Sequence, residues 1–372
     1  MNEIESFGTM EQGMMTRAVQ HNQPINGSLE LLPLCNMNCD MCYVRLSKPE
    51  MEKQGRMRTG EEWLSLGREM AKAGTLFLLL TGGEPLLHPD FKEIYLGLKK
   101  LGFILTVNTN GTLIDEAWAD FFAQNKPRRI NITLYGADEA AYEKLCHYKG
   151  GYEKTVNAVR LLRQRGVDVR LGGSVTPANV RDVDRCYEIA AELDAPMVTD
   201  SYMMAANRER GKDFQWESRL CPEEAAAVRF RAMRKEHDEM WFKEYRKLVL
   251  ETLDQFQPWE ETPCESTCMA GRCSFAINWQ GRMRPCVITT EPQVDVFEQG
   301  FENAWHQMTE SYSKFRFCSE CSVCRLRILC PVCPVACKTE EGDYMKKPGY
   351  LCRYAAETER LLRLSLEEES HE

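Results

Sequence analysis

The sequence predicts an α/β protein, an open, partial barrel of six β-α units followed by a small cysteine-rich domain that relies on metal for its core. Three observations carry this reading. Residues 28–204 alternate short apolar runs with longer amphipathic segments, as parallel strands joined by sheet-packing helices do. The 17 cysteines are crowded: none precedes Cys35, three fall within eight positions from Cys35 to Cys42, and most of the others lie from Cys264 to Cys352. A length of 372 residues exceeds one average domain, so a second, smaller one is expected.

Strands are expected at residues 28–34, 75–81, 104–108, 129–135, 168–175 and 196–203, each a short apolar run bounded by turn residues. Between them, residues 59–73, 91–101, 114–124, 152–165 and 180–193 place apolar side chains at three- and four-residue spacing, the pattern of helices lying on a sheet. Right-handed crossovers curl such a sheet toward a barrel, and six short strands leave it open. Residues 1–27 form an N-terminal extension. Residues 205–263 change character: they are charged and rich in helix formers over 223–256, and read as a helical bridge closed by Pro258 and Pro263. Residues 264–352 make the cysteine-rich domain, with one hairpin formed by 274–278 and 282–288 around Trp279-Gln280-Gly281. Residues 353–372 read as a terminal helix fading into an acidic tail.

Composition narrows the function. With 47 basic against 56 acidic side chains the net charge is −9, which argues against a phosphate-backbone footprint and hence against nucleic acid. No run of 18 apolar residues and no basic-then-apolar N-terminal segment is present, so a cytoplasmic protein without a membrane anchor is expected. In a reducing compartment dense cysteines serve as metal ligands more often than as disulfides. Cys146, Cys186, Cys221 and Cys264 stand outside the tight groups and read mostly as packing residues.

The spacing Cys35-x3-Cys39-x2-Cys42 follows directly on the first strand, which delivers it to the C-terminal rim of a barrel. Three thiolates leave one iron of a [4Fe-4S] cube without a protein ligand, and that iron can take the amine and carboxylate of a small amino acid. A zinc site or a plain electron carrier asks for four protein ligands; a zinc loop borrowing His88 is the competing reading. One β-α unit later stands Thr81-Gly82-Gly83-Glu84-Pro85, and Asn108-Thr109-Asn110-Gly111 and Thr133-Leu134-Tyr135-Gly136 close the third and fourth strands, with Ser174 and Asn179 around the fifth. Taken singly, each of these is equally a strand-end turn or a helix cap.

The cysteine spacing, with the Gly-Gly-Glu-Pro run behind it, resembles the signature of the radical S-adenosylmethionine (radical SAM) superfamily, whose fold is a partial (β/α)6 TIM-like barrel. The resemblance implies a [4Fe-4S] cluster on Cys35, Cys39 and Cys42, with SAM held by Gly82, Gly83, Glu84, Asn110, Thr133 and Ser174. Tyr135 stands where many relatives have aspartate, so any role of that carboxylate is missing here. The later run, Cys268-x12-Gly281-x4-Cys286, Cys321-x2-Cys324-x5-Cys330, Cys333 or Cys337, and Cys352, looks like the SPASM domain of enzymes that modify peptides. That likeness implies two auxiliary [4Fe-4S] clusters, one on Cys268, Cys273, Cys286 and Cys333, the other on Cys321, Cys324, Cys330 and Cys352, three clusters in all. Cys330 and Cys333 lie closer than is usual, which makes Cys337 a rival ligand and leaves Cys318 spare; a pair of zinc ribbons is the alternative.

By the same resemblance the enzyme cleaves SAM reductively to a 5′-deoxyadenosyl radical that abstracts hydrogen from a peptide, as a maturase of ribosomally made peptides forming thioether or carbon–carbon cross-links. A one-electron donor such as flavodoxin or ferredoxin is the implied partner. Three alternatives stand beside it: a peptide epimerase with Cys221 as hydrogen donor, a sulfatase-type formylglycine-forming enzyme, disfavoured because Val287 follows Cys286 where that group has aspartate, and a non-catalytic iron-sulfur carrier. With about 27 residues before the first strand, no fused leader-binding domain is expected: either a separate leader-peptide-recognition protein serves the enzyme, or the substrate is short or is not a leader-bearing peptide.

Overall fold

The structure is a computed structural model that describes residues 8–206, 208–210, 216–258, 260 and 268–369. All six expected strands are present: β1 (Asn26–Glu30), β2 (Phe77–Thr81), β3 (Ile104–Thr109), β4 (Arg129–Thr133), β5 (Val169–Ser174) and β6 (Met197–Asp200). They pair in parallel and in sequence order, β1 beside β2 through to β5 beside β6. Three further strands follow, β7 (Ser274–Ile277), β8 (Arg282–Arg284) and β9 (Val294–Asp295). The predicted hairpin is β7 and β8, its second strand ending at Arg284 because Pro285 has no N–H for the ladder.

The hairpin does not stand apart. β7 pairs in parallel with β1, Asn26 opposite Ser274 and Leu29 opposite Ile277, so one nine-stranded sheet runs β6-β5-β4-β3-β2-β1-β7-β8-β9. The first barrel strand is therefore an interior strand. Such a pairing joins distant parts of the chain and leaves no local trace in the sequence.

The helices are α1 (Thr9–Gln20), α2 (Lys48–Gln54), α3 (Gly60–Lys72), α4 (Phe91–Lys100), α5 (Glu116–Gln124), α6 (Glu139–Cys146), α7 (Gly151–Gln164), α8 (Val183–Glu192), α9 (Pro222–Glu236), α10 (Glu239–Asp254), α11 (Val296–Gln299), α12 (Phe301–Ser313), α13 (Pro334–Glu341) and α14 (Gly349–Glu369). Five of them, α3, α4, α5, α7 and α8, are the expected crossovers. Their apolar faces bury Trp63, Ile94, Phe122, Leu162 and Ile189 against Leu80, Val107, Ile132 and Leu171 of the sheet, in one continuous core. The helical bridge consists of α9 and α10, the second starting afresh where Asp238 accepts a hydrogen bond from the Trp241 N–H and caps it. The final helix begins at Gly349, so Cys352 lies inside it and not before it. Cys264 and Pro263 lie outside the described residues. No helix among the described residues is long and apolar enough to cross a membrane.

Candidate active site

The chain runs from β1 through Leu31–Leu34 into the cysteine loop, and the next unit closes on it from the side. Gly83 donates its N–H to the Leu32 carbonyl at 2.7 Å and Glu84 to that of Leu34 at 2.8 Å. A Cβ on Gly82 or Gly83 would lie 2.5 or 2.2 Å from the carbonyl oxygens of Leu32 or Leu34. The two glycines are thus required by the approach of backbone to backbone, and Gly82 also adopts a φ of +150°, which disfavours a side chain.

Behind them Glu84 is fully buried. Its carboxylate accepts from the Leu86 N–H at 3.1 Å, the Thr109 hydroxyl at 2.8 Å and the Asn110 N–H at 2.8 Å. It therefore ties the end of β2 to the end of β3 and is not among the residues that line the cavity. Burial, the largest effect, raises its pKa to about 7 in spite of those three donors.

The cavity opens at the C-terminal ends of the strands and measures about 530 Å³. Cys35, Cys39 and Cys42 line it together with Gly82, Gly83, Asn110, Thr133 and Ser174, so every predicted site residue of the barrel except Glu84 meets there. The cysteine loop is held from behind by the end of α6. Asn38 and Asp40 donate N–H groups to the carbonyls of Cys146 and Leu145 at 3.0 and 3.1 Å, and Asp40 contacts the His147 ring at 2.6 Å. Cys146, read from sequence as a packing residue, is buried with its thiol hydrogen-bonded to Cys39. That bond, with a second from the Tyr135 hydroxyl, holds the Cys39 thiol below its ordinary pKa. Tyr135, the departure from the aspartate pattern, is therefore a partner of the cysteine loop. Asn110 reaches the same loop, its amide 3.7 Å from the Cys35 sulfur and 2.9 Å from Asn36 Oδ1.

A strap from the bridge completes the wall. Arg208 forks onto both oxygens of Glu30 at 2.7 Å, with both residues buried, and Arg210 donates to the Cys42 carbonyl. Arg208 also donates to the Val287 carbonyl, next to Cys286, and Glu209 accepts from Asn278 at 2.8 Å. The strap joins β1, the cysteine loop and the C-terminal hairpin. A run of Arg-Glu-Arg is an ordinary solvated stretch in sequence, and nothing there marked it.

Among the described residues no three Cys, His, Asp or Glu side chains close on a single ion. Three thiols spread around one cavity suit a larger, polynuclear group. Burial pushes the Cys35 thiol up to about 12 and raises Cys42, so these sulfurs become thiolates only when a metal compensates the charge.

The family model for the radical SAM superfamily matches residues 29–190. That stretch, from β1 to α8, is a radical SAM domain. The chain is 24% identical over 354 residues to the AdoMet-dependent heme synthase of Methanosarcina barkeri, covering 90% of this chain and 97% of that one. It is 22% identical over 280 residues to the sporulation killing factor maturation protein SkfB of Bacillus subtilis, covering 74% of this chain and 63% of that protein. Its fold matches the crystal structure of Streptococcus suis SuiB bound to precursor peptide SuiA with a TM-score of 0.69 and 14% identity, over 92% of this chain and 80% of that one. A radical SAM domain implies a [4Fe-4S] cluster and SAM, and the donor set of three thiols around the cavity suits such a cluster.

The later cysteines fall into two neighbourhoods. The electrostatic neighbours of Cys286 include Cys333 and Cys268, and Cys273 also neighbours Cys268. Cys330, Cys324 and Cys352 form the second set. Cys321 is hydrogen-bonded to Cys318 and neighbours Cys330, and Cys337 neighbours Cys318, Cys333 and Cys330, so Cys337 sits between the two sets and Cys318 beside the second. Cys221 is the exposed N-cap of α9, ahead of Pro222, and is not among the cavity's lining residues.

Proposed function

We propose that the chain binds a [4Fe-4S] cluster on Cys35, Cys39 and Cys42, cleaves SAM reductively, and abstracts hydrogen from a peptide to form a thioether or carbon–carbon cross-link. The observation that carries this is the three-thiol loop on one wall of a cavity whose other walls are Gly82, Gly83, Asn110, Thr133 and Ser174. The bound cofactors supply a primary carbon radical able to attack an unactivated C–H bond. The chain's own residues do the rest. Backbone groups at Gly82 and Gly83 and the side chains of Asn110, Thr133 and Ser174 orient SAM. Tyr43, Tyr202, Met203, Met204 and Ile288 line the same cavity and exclude water from it.

The two auxiliary clusters are assigned to Cys268, Cys273, Cys286 and Cys333, and to Cys321, Cys324, Cys330 and Cys352, where they would serve as electron acceptors for an oxidative product. Likeness to the maturation protein SkfB supports a peptide substrate. The near end-to-end match to an AdoMet-dependent heme synthase favours a second reading, a step of heme synthesis, with the same radical machinery. The exposed, capping position of Cys221 speaks against the epimerase alternative.

Anaerobic reconstitution followed by dithionite and SAM tests the core of the proposal. Release of 5′-deoxyadenosine and about twelve irons per chain, by cluster arithmetic, are expected. Cys39→Ala should abolish that release and lower the count by about four. Undiminished SAM cleavage in this variant would overturn the assignment. Products from a cysteine-bearing peptide and from an iron porphyrin, compared by mass, separate the two substrate readings.

A further inference from the structure

Below the cluster cavity the barrel holds a second one, of about 270 Å³, and the two are stacked along the same strands. On β3 Asn108 lines the upper cavity and Thr106 the lower; on β4 the pair is Thr133 and Asn131; on β5 it is Ser174 and Arg170. Side chains two apart on a strand share a face, about 7 Å from one to the next, so these six look into one lumen. Between Ser174 and Arg170 on that face stands Gly172, where an added Cβ would meet nothing within 4 Å. On β5, therefore, no side chain stands between Ser174 and Arg170 on the lumen face.

The floor of the lumen is cationic. Arg128 pairs with Glu11 at 2.6 Å and Arg129 with Asp168 at 2.9 Å. The Arg170 side chain has neither a hydrogen bond nor an ion pair with any of the described residues. Glu236 is a carboxylate whose charge acts on it, but that group already accepts from Arg229 at 2.7 Å, from the Tyr187 hydroxyl at 2.7 Å and from the Thr199 N–H at 3.0 Å. Beside Arg170, Asn131 keeps a buried Oδ1 without a partner, while its Nδ2 donates to Asn108 Oδ1 at 2.7 Å. A half-buried guanidinium next to a second arginine loses hydration and gains no counter-charge, so an anion entering the lumen recovers the missing interaction.

We infer that Arg170 is the anchor of a carboxylate subsite in the barrel lumen, and that the substrate carries a carboxylate, with a neighbouring N–H for Asn131, about two to four strand positions below the cluster cavity. This deepens the proposed function and rests on it for the direction from which the substrate enters. An acidic side chain or a C-terminal carboxylate of a peptide both meet the requirement.

The test uses small probes on the anaerobically reconstituted protein: N-acetyl-glutamate α-amide, N-acetyl-glutamine carrying a free α-carboxylate, and neutral N-acetyl-glutamine amide. Ligand-observed saturation-transfer NMR is expected to show roughly tenfold tighter binding of at least one acid than of the neutral amide, the scale of a charge-assisted bond, and the preferred acid names the carboxylate source. Arg170→Gln should erase the preference and Arg170→Lys retain part of it, with far-UV circular dichroism confirming that both variants fold. Equal binding of acids and amide to the wild type, or an acid preference that survives in Arg170→Gln, would overturn the subsite. Release of 5′-deoxyadenosine by the wild type on the same samples reports separately on the radical chemistry, so either idea can fail alone.

Discussion

Glu84 shows how much a single buried carboxylate can tie together. It stands in the Gly-Gly-Glu-Pro run that implied a SAM contact, and its oxygens accept from Thr109 and Asn110 at the end of the next strand. Its pKa is raised to about 7 by burial, against an ordinary 4.5. The folded state therefore keeps a proton that the unfolded chain releases near 4.5. Its contribution to stability is whole below that pH and is lost as pH rises toward about 7, the reverse of an ordinary salt-bridged carboxylate. Glu84→Gln should flatten this slope: relative to wild type, the variant gains stability between pH 4.5 and 7 and the difference is constant above. Urea midpoints across that range check it, and parallel curves would show that Glu84 does not titrate there. Three cysteines at fixed spacing were legible because the chemistry dictates both residue type and distance. Cys146 and Tyr135 were not, because only the fold brings the end of α6 and the end of β4 onto Cys39.

At the scale of elements, the six β-α units were legible because strands buried on both faces and their covering helices leave regular apolar patterns. The short α6 and α1 were missed, and the break between α9 and α10 hinges on a single capping aspartate. The strap at Arg208–Arg210 carries little sequence signal and a buried ion pair. Arg208 and Glu30 are 6% and 3% exposed and share a two-pronged ion pair. Removing one partner strands the other, so Arg208→Met is expected to lose about 3–5 kcal/mol of stability. The double variant Arg208→Met, Glu30→Met should recover much of that loss, measured by urea denaturation in a double-mutant cycle. A single-variant loss under about 1 kcal/mol, the scale of an exposed pair, would mean that the strap is solvated and does not hold β1 to the hairpin.

For the whole molecule, the sequence reading of a barrel with an appended domain understates the connection. β7 continues the barrel sheet on the far side of β1, so the C-terminal part supplies a neighbouring strand as well as cysteines. A fragment ending at residue 206 would expose the flank of β1, a row of unpaired backbone groups that favours edge-to-edge association. Such a fragment should elute as aggregates in size-exclusion chromatography, whereas a monomeric, folded fragment would show that β7 is dispensable. This arrangement also has an order in time. On the ribosome β1 emerges before the other strands of this sheet, yet the neighbour on its other side is made only after all six barrel strands. The loop that continues from β1 thus gains its full support only once β7 has been synthesised, so whatever the Cys35, Cys39 and Cys42 loop binds meets its finished frame after the barrel strands are already made.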